Sequence, residues 1–269
     1  MLSVLLSVYN KETPSNLKEA LNSIINQTYK ASEYVIVKDG PLNSSLEMVL
    51  DNFYNNNTNV KIVSLPINQG LGKALNKGLA YCSCNLVARM DTDDIAKPNR
   101  FEEQIKIFEK NPEIDVCSSW IEEFKDTPNN IISIKKLPEN HEDIIRYAKH
   151  RCPINHPSVM FKKEIVLRVG GYEGFPEDYY LWVKMLMNGA KFYNIQKSLL
   201  YFRFSDNVIK RRGGIKYAIN DFKSQMKFYQ IGFISIYTFL YNIIIRITIR
   251  LTPNFVRLYF YKNILRKKS

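Results

Sequence analysis

Three carboxylates occur within four residues at Asp91-Thr92-Asp93-Asp94, directly after a short apolar segment. Carboxylates this close repel one another unless a cation or hydrogen-bond donors lie among them. Oxygen ligands of this kind suit Mg²⁺ or Mn²⁺, with a substrate phosphate completing the coordination shell. We therefore predict a divalent metal site at this acidic turn. The alternative is a solvated acidic turn, because so short a motif has many chance matches.

Two further acidic motifs occur where ligands could bind. Asp39-Gly40 follows an apolar segment, and an acid there can hydrogen-bond a ribose or a nucleobase edge. The simpler interpretation is an Asp-Gly turn. Glu177-Asp178 begins a helical pattern, where the helix dipole by itself favours acids. The functional alternative is that Asp178 is a general base.

A glycine-containing segment from Asn68 to Lys73 is similar to a phosphate-binding loop. It lacks the Gly and the Ser or Thr of a Walker A motif and the third Gly of a dinucleotide fingerprint. What remains is a loop of close approach that opens a helix, from which Lys73 can reach an anion, or an ordinary helix start. His156-Pro157 precedes a predicted strand, and a lone histidine is more often structural than a ligand.

Alternating apolar segments and helical patterns must position these residues. Strands are predicted at 3–9, 33–38, 61–65 and 86–90, and helices at 16–27, 46–54 and 71–80. Such alternation indicates a parallel sheet with right-handed crossovers, which binds ligands at the carboxyl ends of its strands. Asn10, Asp39, Asn68 and Asp91 all follow predicted strands, so we expect them at one edge of the sheet.

After residue 94 the alternation loosens, which indicates a mixed sheet. Helices are predicted at 99–111, 140–150 and 178–188, and strands at 116–124, 131–135, 158–161, 191–195 and 199–204. No linker and no internal repeat separates these elements. We therefore predict one α/β domain over residues 1–204, followed by basic helices from about residue 213.

The charge of the chain is unevenly distributed. Its 38 basic and 26 acidic residues give a net charge of +12. Residues 1–202 carry 24 of each sign, whereas residues 203–269 carry 14 basic residues and only Asp206 and Asp221. This distribution favours a neutral body with a basic C-terminal segment that meets an anionic partner. The 45% apolar and 24% charged composition excludes a disordered, collagen-like or coiled-coil chain.

The cysteines and the N-terminus add two expectations. Cys82, Cys84, Cys117 and Cys152 do not form a zinc signature, so reduced and mostly buried thiols are expected. The apolar stretch over residues 1–9 is too short for a signal peptide. We therefore expect the body of the protein in the cytoplasm.

The order of these motifs resembles the family 2 glycosyltransferases over about residues 1–205, and most nearly bacterial enzymes of O-antigen, capsule and exopolysaccharide assembly. The motifs are Tyr9-Asn10, Asp39-Gly40, Asn68-Gln69-Gly70-Leu71-Gly72, Arg89-Met90-Asp91, Asp93-Asp94, His156-Pro157, Gly170-Gly171-Tyr172, Glu177-Asp178 and Leu181-Trp182. The resemblance implies an α/β glycosyltransferase A-type fold. Its parts would be a Rossmann-like nucleotide-sugar-binding half (1–95), a mixed-sheet acceptor half (96–204) and a basic amphipathic helical extension (205–269).

The resemblance also implies a role for each residue. Asp39 would bind the uracil or ribose of a UDP-sugar, Asp91 the ribose or sugar, and Asp93, with Asp91, a Mn²⁺ or Mg²⁺ ion. Asp178 would be the catalytic base, with Glu177 and Trp182 near the acceptor. The remaining substrate-binding residues would be Tyr9, Asn10, Glu12, Gly70, Lys73 and His156. The processive Gln-x-x-Arg-Trp signature is absent near Arg211, which favours transfer of a single sugar.

The expected reaction is transfer of a hexose, glucose or galactose, from a UDP-sugar to a lipid-diphosphate-linked saccharide, with inversion. A non-catalytic adaptor with a degenerate nucleotide-binding fold, which binds a membrane or a nucleic acid, is the alternative function. A nucleotidyltransferase shares the metal chemistry but gives no account of Glu177-Asp178.

The C-terminal segment suits the membrane on which such an acceptor is held. Residues 228–245 are uncharged over eighteen positions but too polar to predict a membrane span. The basic residues that follow are Arg246, Arg250, Arg257, Lys262, Arg266, Lys267 and Lys268. Interleaved with apolar residues, they suit a helix in an anionic headgroup layer on the inner face of the cell membrane. A helical hairpin packed on the body and a nucleic-acid-binding patch are the alternatives; we expect no nucleic-acid partner.

Overall fold

The structure of the protein is a computed structural model that describes residues 1–204 and 213–253. The strands are β1 (Leu2–Val8), β2 (Glu33–Lys38), β3 (Val60–Ser64), β4 (Leu86–Met90), β5 (Ile95–Ala96), β6 (Ile114–Phe124), β7 (Ile131–Lys135), β8 (Met160–Lys162) and β9 (Lys191–Arg203). The helices are α1 (Pro14–Ile25), α2 (Ser44–Asn55), α3 (Leu71–Leu79), α4 (Arg100–Lys110), α5 (His141–Ala148), α6 (Lys163–Arg168), α7 (Glu177–Met187), α8 (Ile215–Gln230) and α9 (Ile236–Leu251). A short 3-10 helix covers His156–Ser158.

All nine strands of the described residues form one sheet. Its order is β3-β2-β1-β4-β8-β6-β9-β5, and β7 pairs with β6 outside this path. Strands β1 to β4 are parallel, with Ser3 opposite Glu33 and Leu2 opposite Leu86. Strand β8 is antiparallel to β4 and β6, whereas β9 is parallel to β6. The prediction of a parallel half followed by a mixed half is confirmed.

Apolar residues on both faces of the parallel strands explain why helices cover the sheet on both sides. Leu17, Leu21 and Ile24 of α1 pack in the cluster on one face, whereas Leu75 of α3 packs in the cluster on the other. Helix α3 approaches the sheet closely at Gly78, where an added Cβ would lie 2.4 Å from a methyl group of Leu5. The helical periodicity of the sequence therefore identified these faces correctly.

The structure differs from the predicted elements in the second half. Strands predicted at 191–195 and 199–204 form a single strand, β9. The register with β6 shifts between the pairs Ser119–Ile195 and Trp120–Ser198, so Gln196 and Lys197 lie in an irregularity that mimics a break. The short elements β5 and α6 were not predicted, because two and six residues are too few to show a period.

Helices α8 and α9 pack on the body of the protein. The Phe228 ring lies 4.8 Å from the ring of Tyr179 and stacks parallel to Tyr180 at 6.2 Å. The Asn242 side chain donates to Lys149 O and Gln225 Oε1. For residues 213–253, the packed arrangement is therefore the one observed. Arg257, Lys262, Arg266, Lys267 and Lys268 lie outside the described residues.

The structure also bears on the state of the cysteines and on whether any helix could span a membrane. The four cysteines are free, and three of them are buried while Cys152 is half-buried. Within residues 1–204 and 213–253, every helix is too short or too polar to cross a bilayer.

Candidate active site

A cavity of about 930 Å³ lies between the sheet edge and the C-terminal helices. The end of β4 contributes Arg89 and Asp91, and the start of α7 contributes Glu177 and Asp178. The opposite wall consists of residues from α8 and α9. One cavity therefore joins two of the predicted acidic motifs to the C-terminal segment.

A buried arginine orients the first acid of this cavity. The guanidinium group of Arg89, which is 1% exposed, forms a two-pronged ion pair with the carboxylate of Asp91. Arg100 lies behind it and donates to the carbonyl oxygen of Arg89 over 2.7 Å. Burial, with the nearby charge of Arg89, lowers the pKa of Arg100 to about 9. Asp91 is thus held in one orientation by a buried basic pair.

The acidic turn after β4 fits a divalent cation. Carboxylate oxygens of Asp91, Asp93 and Asp94 all lie within 4.8 Å of one another. Asp94 is fully buried; its Oδ1 accepts from Arg203 N, and among the described residues its Oδ2 has no hydrogen-bond partner. Burial and repulsion from Asp91 and Glu12 raise the pKa of Asp93 to about 7. Unbalanced negative charge with an orphaned oxygen is what a bound cation would neutralise.

The residues after β1 support this turn. Glu12 Oε2 accepts from the Thr92 hydroxyl over 3.0 Å, and so connects the first loop of the chain to the acidic turn. Asn10 Oδ1 accepts from Asn43 N at the start of α2. Tyr9 is 39% exposed. In the described part of the chain, none of the predicted residues Tyr9, Asn10 and Glu12 lines the cavity.

Asp39 has a different environment from the one predicted. Its carboxylate is buried and accepts from Gln69 N over 2.7 Å and from Gly70 N over 3.0 Å. The amides of Gln69 and Gly70 are therefore already bonded to Asp39, and a substrate-binding role for Gly70 stays a prediction. Lys73 is exposed and is not part of the cavity wall, to which this loop contributes Leu71.

The predicted base lies in the cavity. Asp178 Oδ1 accepts from Tyr179 N over 2.7 Å, and its Oδ2 lies 3.9 Å from Cys152 Sγ. Burial, with the charge of Asp178, raises the pKa of the neighbouring Glu177. Both acids line the same cavity as Asp91, whereas Asp93 is not one of the lining residues, although its carboxylate lies within 4.8 Å of that of Asp91. The structure thus brings two acidic motifs together across a space large enough for substrate.

His156 lines the cavity as a neutral imidazole. Its Nε2 lies 3.0 Å from the Tyr172 hydroxyl. Burial, with the charge of Arg89, lowers the pKa of His156 well below its usual range. The histidine can therefore accept or donate one hydrogen bond without carrying charge at neutral pH.

Trp182 lies next to His156 but does not line the cavity itself. The side chain is fully buried and packs edge-to-face against His156 at 5.9 Å and Phe192 at 6.3 Å. Its packing supports the position of His156, which does line the cavity. A place for Trp182 near the acceptor stays a prediction.

Sequence reasoning missed the residues that α9 contributes to the cavity. Thr238, Asn242, Arg246 and Arg250 all line it. A spacing of four residues was the available signal, because it places side chains on one face of a helix. The excess of basic residues favoured a membrane-binding interpretation, so the common helix face of these four residues was not recognised.

Comparisons with known proteins agree with this architecture. Residues 3–169 match the family described as Glycosyl transferase family 2. The chain is 46% identical over 267 residues to a UDP-Gal:alpha-D-GlcNAc-diphosphoundecaprenol beta-1,3-galactosyltransferase of Escherichia coli, covering 98% of this chain and 96% of that protein. It is 42% identical over 239 residues to the amylovoran biosynthesis glycosyltransferase AmsE of Erwinia amylovora, covering 87% of this chain and 89% of that one.

Solved structures share the fold at low identity. The mannosyltransferase PcManGT from Pyrobaculum calidifontis, in complex with GDP-Man and Mn²⁺, has a TM-score of 0.66 at 15% identity, covering 91% of this chain and 68% of that one. Residues 1–349 of S. aureus TarS, in complex with UDP-GlcNAc, have a TM-score of 0.63 at 17% identity, covering 84% of this chain and 65% of that one.

Proposed function

The chain belongs to glycosyl transferase family 2, and from that premise we propose that it transfers a hexose from a UDP-sugar to a lipid-diphosphate-linked sugar. The Escherichia coli relative is named for galactose transfer to an N-acetylglucosamine-diphosphate lipid, and the similarity spans 98% of this chain. This supports UDP-galactose as donor and the same acceptor class. It also favours an enzyme over a non-catalytic adaptor.

The observation that carries the proposal is the single cavity lined by Asp91, Glu177 and Asp178. Asp178 would accept the proton of the acceptor hydroxyl as that oxygen attacks the anomeric carbon. The hydrogen bond from Tyr179 N fixes Oδ1, and Oδ2, whose neighbour is the weakly donating Cys152 thiol at 3.9 Å, would be the oxygen that accepts the proton. Because the nucleophile enters opposite the leaving group, an α-linked donor would give a β-linked product.

The other acids would serve the donor. Asp91, oriented by Arg89, would bind the ribose or the sugar, and Asp93 would be the principal ligand of a Mn²⁺ or Mg²⁺ ion. When bound, such an ion supplies charge neutralisation for the departing diphosphate. Asp39 would act indirectly, since its carboxylate shapes the Gln69–Gly70 loop beside the cavity.

The C-terminal helices would rest on an anionic membrane surface at the inner face of the cell membrane. Large apolar side chains are exposed along them, at Ile215, Ile219, Ile236, Tyr237, Leu240, Tyr241, Ile244 and Leu251. An apolar surface of this size on a basic segment suits a headgroup layer. Co-sedimentation with anionic vesicles at rising salt tests this contact, and a DNA mobility-shift assay tests the nucleic-acid alternative.

The deciding experiment measures UDP release from UDP-galactose, UDP-glucose and other sugar nucleotides. The acceptor is N-acetylglucosamine diphosphate on a short alkyl chain, with Mn²⁺ or Mg²⁺ present. We expect acceptor-dependent release with a UDP-hexose and, by NMR, a β-linked product. UDP release that is independent of acceptor, for every donor tried, would contradict the proposal.

A further inference from the structure

Two parallel rows of side chains on α9 line the cavity. One row is polar and consists of Thr238, Asn242, Arg246 and Arg250. The other is apolar and aromatic, and consists of Tyr237, Tyr241, Ile245 and Ile249. Each row repeats every four residues, so each follows one face of the helix. The helix therefore presents a polar track and an apolar track side by side to the same space.

The polar track ends in two arginines that share one carboxylate. Asp221 of α8 is buried and accepts from Arg246 Nη1 over 3.3 Å and from Arg250 Nε over 2.8 Å. Arg246 Nη2 also donates to His150 O over 2.7 Å. Two guanidinium groups on one carboxylate leave an excess of one positive charge. Within the described residues, both terminal nitrogens of Arg250 have no hydrogen-bond acceptor.

A third cation adds to this excess. Arg151 lines the cavity and lies 5.7 Å from the ring of Tyr147. In residues 1–204 and 213–253 no carboxylate forms an ion pair with it. We name Arg151, Arg246 and Arg250 the arginine end of the cavity. A guanidinium with open donors in a partly enclosed space is suited to a phosphate group, which it can bind through two parallel hydrogen bonds.

The arginine end lies close to the proposed base. The guanidinium carbon of Arg246 is 6.0 Å from the ring centre of Tyr179, which directly follows Asp178 in α7. Cys152 directly follows Arg151 and lines the same cavity, and its Sγ is 3.9 Å from Asp178 Oδ2. A ligand with a hydroxyl at Asp178 can therefore reach the arginines with its next group.

We propose that the arginine end binds the diphosphate of the acceptor, with Arg250 and Arg246 as the main ligands; this inference rests on the proposed function. A lipid-diphosphate-linked sugar has its hydroxyl, its diphosphate and its lipid in that order. The cavity offers each of these groups a partner: the Asp178 carboxylate for the hydroxyl, the arginine pair for the diphosphate, and the apolar track beside that pair for the lipid. The carboxylates around Asp91 would repel this diphosphate, whereas the arginine end attracts it. The Tyr237–Ile249 track then takes the first part of the lipid.

Binding in the presence of EDTA tests this site separately from metal-dependent donor binding. The probe is N-acetylglucosamine diphosphate on a short alkyl chain, compared with the corresponding monophosphate, and binding is followed by calorimetry on the full chain. Arg250→Gln should weaken diphosphate binding about tenfold, the scale of one charge-assisted hydrogen bond. Lys216→Gln, an exposed α8 cation outside the cavity, is the matched control and should bind normally.

Further measurements separate structural loss from lost recognition. Arg250→Lys keeps the charge but not the guanidinium group, which can form two parallel hydrogen bonds to a phosphate. This variant should recover only part of the affinity, and its melting temperature should match that of the wild type. UDP-galactose affinity with Mn²⁺ should be unchanged in both Arg250 variants. Equal diphosphate affinity in Arg250→Gln and wild type, or no probe binding by the wild type, would overturn the proposal.

Anionic phospholipid headgroups share the phosphate chemistry, and a vesicle measurement distinguishes the two sources. If Arg250→Gln loses affinity for phosphatidylglycerol vesicles but not for the probe, the site serves the membrane and the proposal is wrong. Failure of the proposed function gives a different result: the wild type would bind the probe through Arg250 yet transfer no sugar to it.

Discussion

The two ends of the cavity differ in how they are built and in the sign of their charge. The acidic end, with Asp91 and Asp178, is formed by a strand end and a helix start of the α/β body. The arginine end is held by Asp221 across the C-terminal helices. The difference shows how two regions of opposite charge in one cavity can fix the orientation of a long substrate. The carboxylates repel the diphosphate of the acceptor, and the arginines attract it.

The largest effect should follow from removing the base at the acidic end. Asp178→Asn keeps the shape of the side chain but cannot accept a proton, so turnover should fall about 10²–10⁴-fold, the usual contribution of a general base. Stopped-time transfer assays measure this, with UDP-galactose affinity as the second readout, which should be unchanged. Asp51→Asn, an exposed acid on α2, is the control. Near-normal turnover would contradict the assignment of Asp178.

Metal removal should affect the same end. EDTA should reduce transfer by roughly 10²–10³-fold, because a cation supplies several kcal/mol of charge stabilisation. Added Mn²⁺ or Mg²⁺ should restore the wild type but not Asp93→Ala. Full activity in EDTA after exhaustive dialysis would show that the acidic turn does not need a metal. Asp178 would then be the only acid at this end with a predicted catalytic role.

Breaking the carboxylate under the arginine end should separate the two ends kinetically. Asp221→Asn should raise the KM for the acceptor several-fold through misplaced guanidinium groups, and leave the KM for the donor unchanged. It should also lower the free energy of unfolding by about 1–3 kcal/mol, because two half-buried guanidinium groups lose their charged acceptor. Initial-rate kinetics and denaturant titration measure these effects. A rise in the donor KM alone would show that the arginine end serves the donor and not the acceptor.

A smaller effect is expected at a buried acid remote from both ends. Burial would raise the pKa of Glu33, but hydrogen bonds from Lys61, Ser3 and Ser83 lower it to about 2 from the ordinary 4.5. A depressed pKa means that Glu33 stabilises the fold fully above about pH 4.5 and that this stabilisation is lost as the pH falls toward 2. Glu33→Gln should remove about 1–2 kcal/mol at pH 7 without changing either KM.

Thermal melts between pH 3 and 7 check this prediction. The melting temperature of the wild type should fall more steeply with acid than that of Glu33→Gln. Parallel curves for the two proteins would show that Glu33 is not the group responsible, and an altered KM would show that its effect reaches the cavity.

The sequence by itself determined the elements of the body and their order. Apolar periods of two and near four residues are local, so β1 to β4 and α1 to α3 followed within two residues of their observed bounds. The clustering of acids after β4 and at the start of α7 was also visible in the chain. Strand β9 was divided wrongly because its irregularity at Gln196 resembles a loop.

Only the tertiary structure decided which polar groups are available to a ligand. Asp39 and Asp91 both follow strands, but backbone amides of a distant loop occupy Asp39, whereas Arg89 leaves Asp91 facing the cavity. Trp182 is buried by four neighbouring rings. Helix α9 lines the cavity because it packs on α8 and contacts α7 and the end of α5. These outcomes depend on competition for hydrogen bonds and buried area between segments far apart in the chain, which no local pattern records.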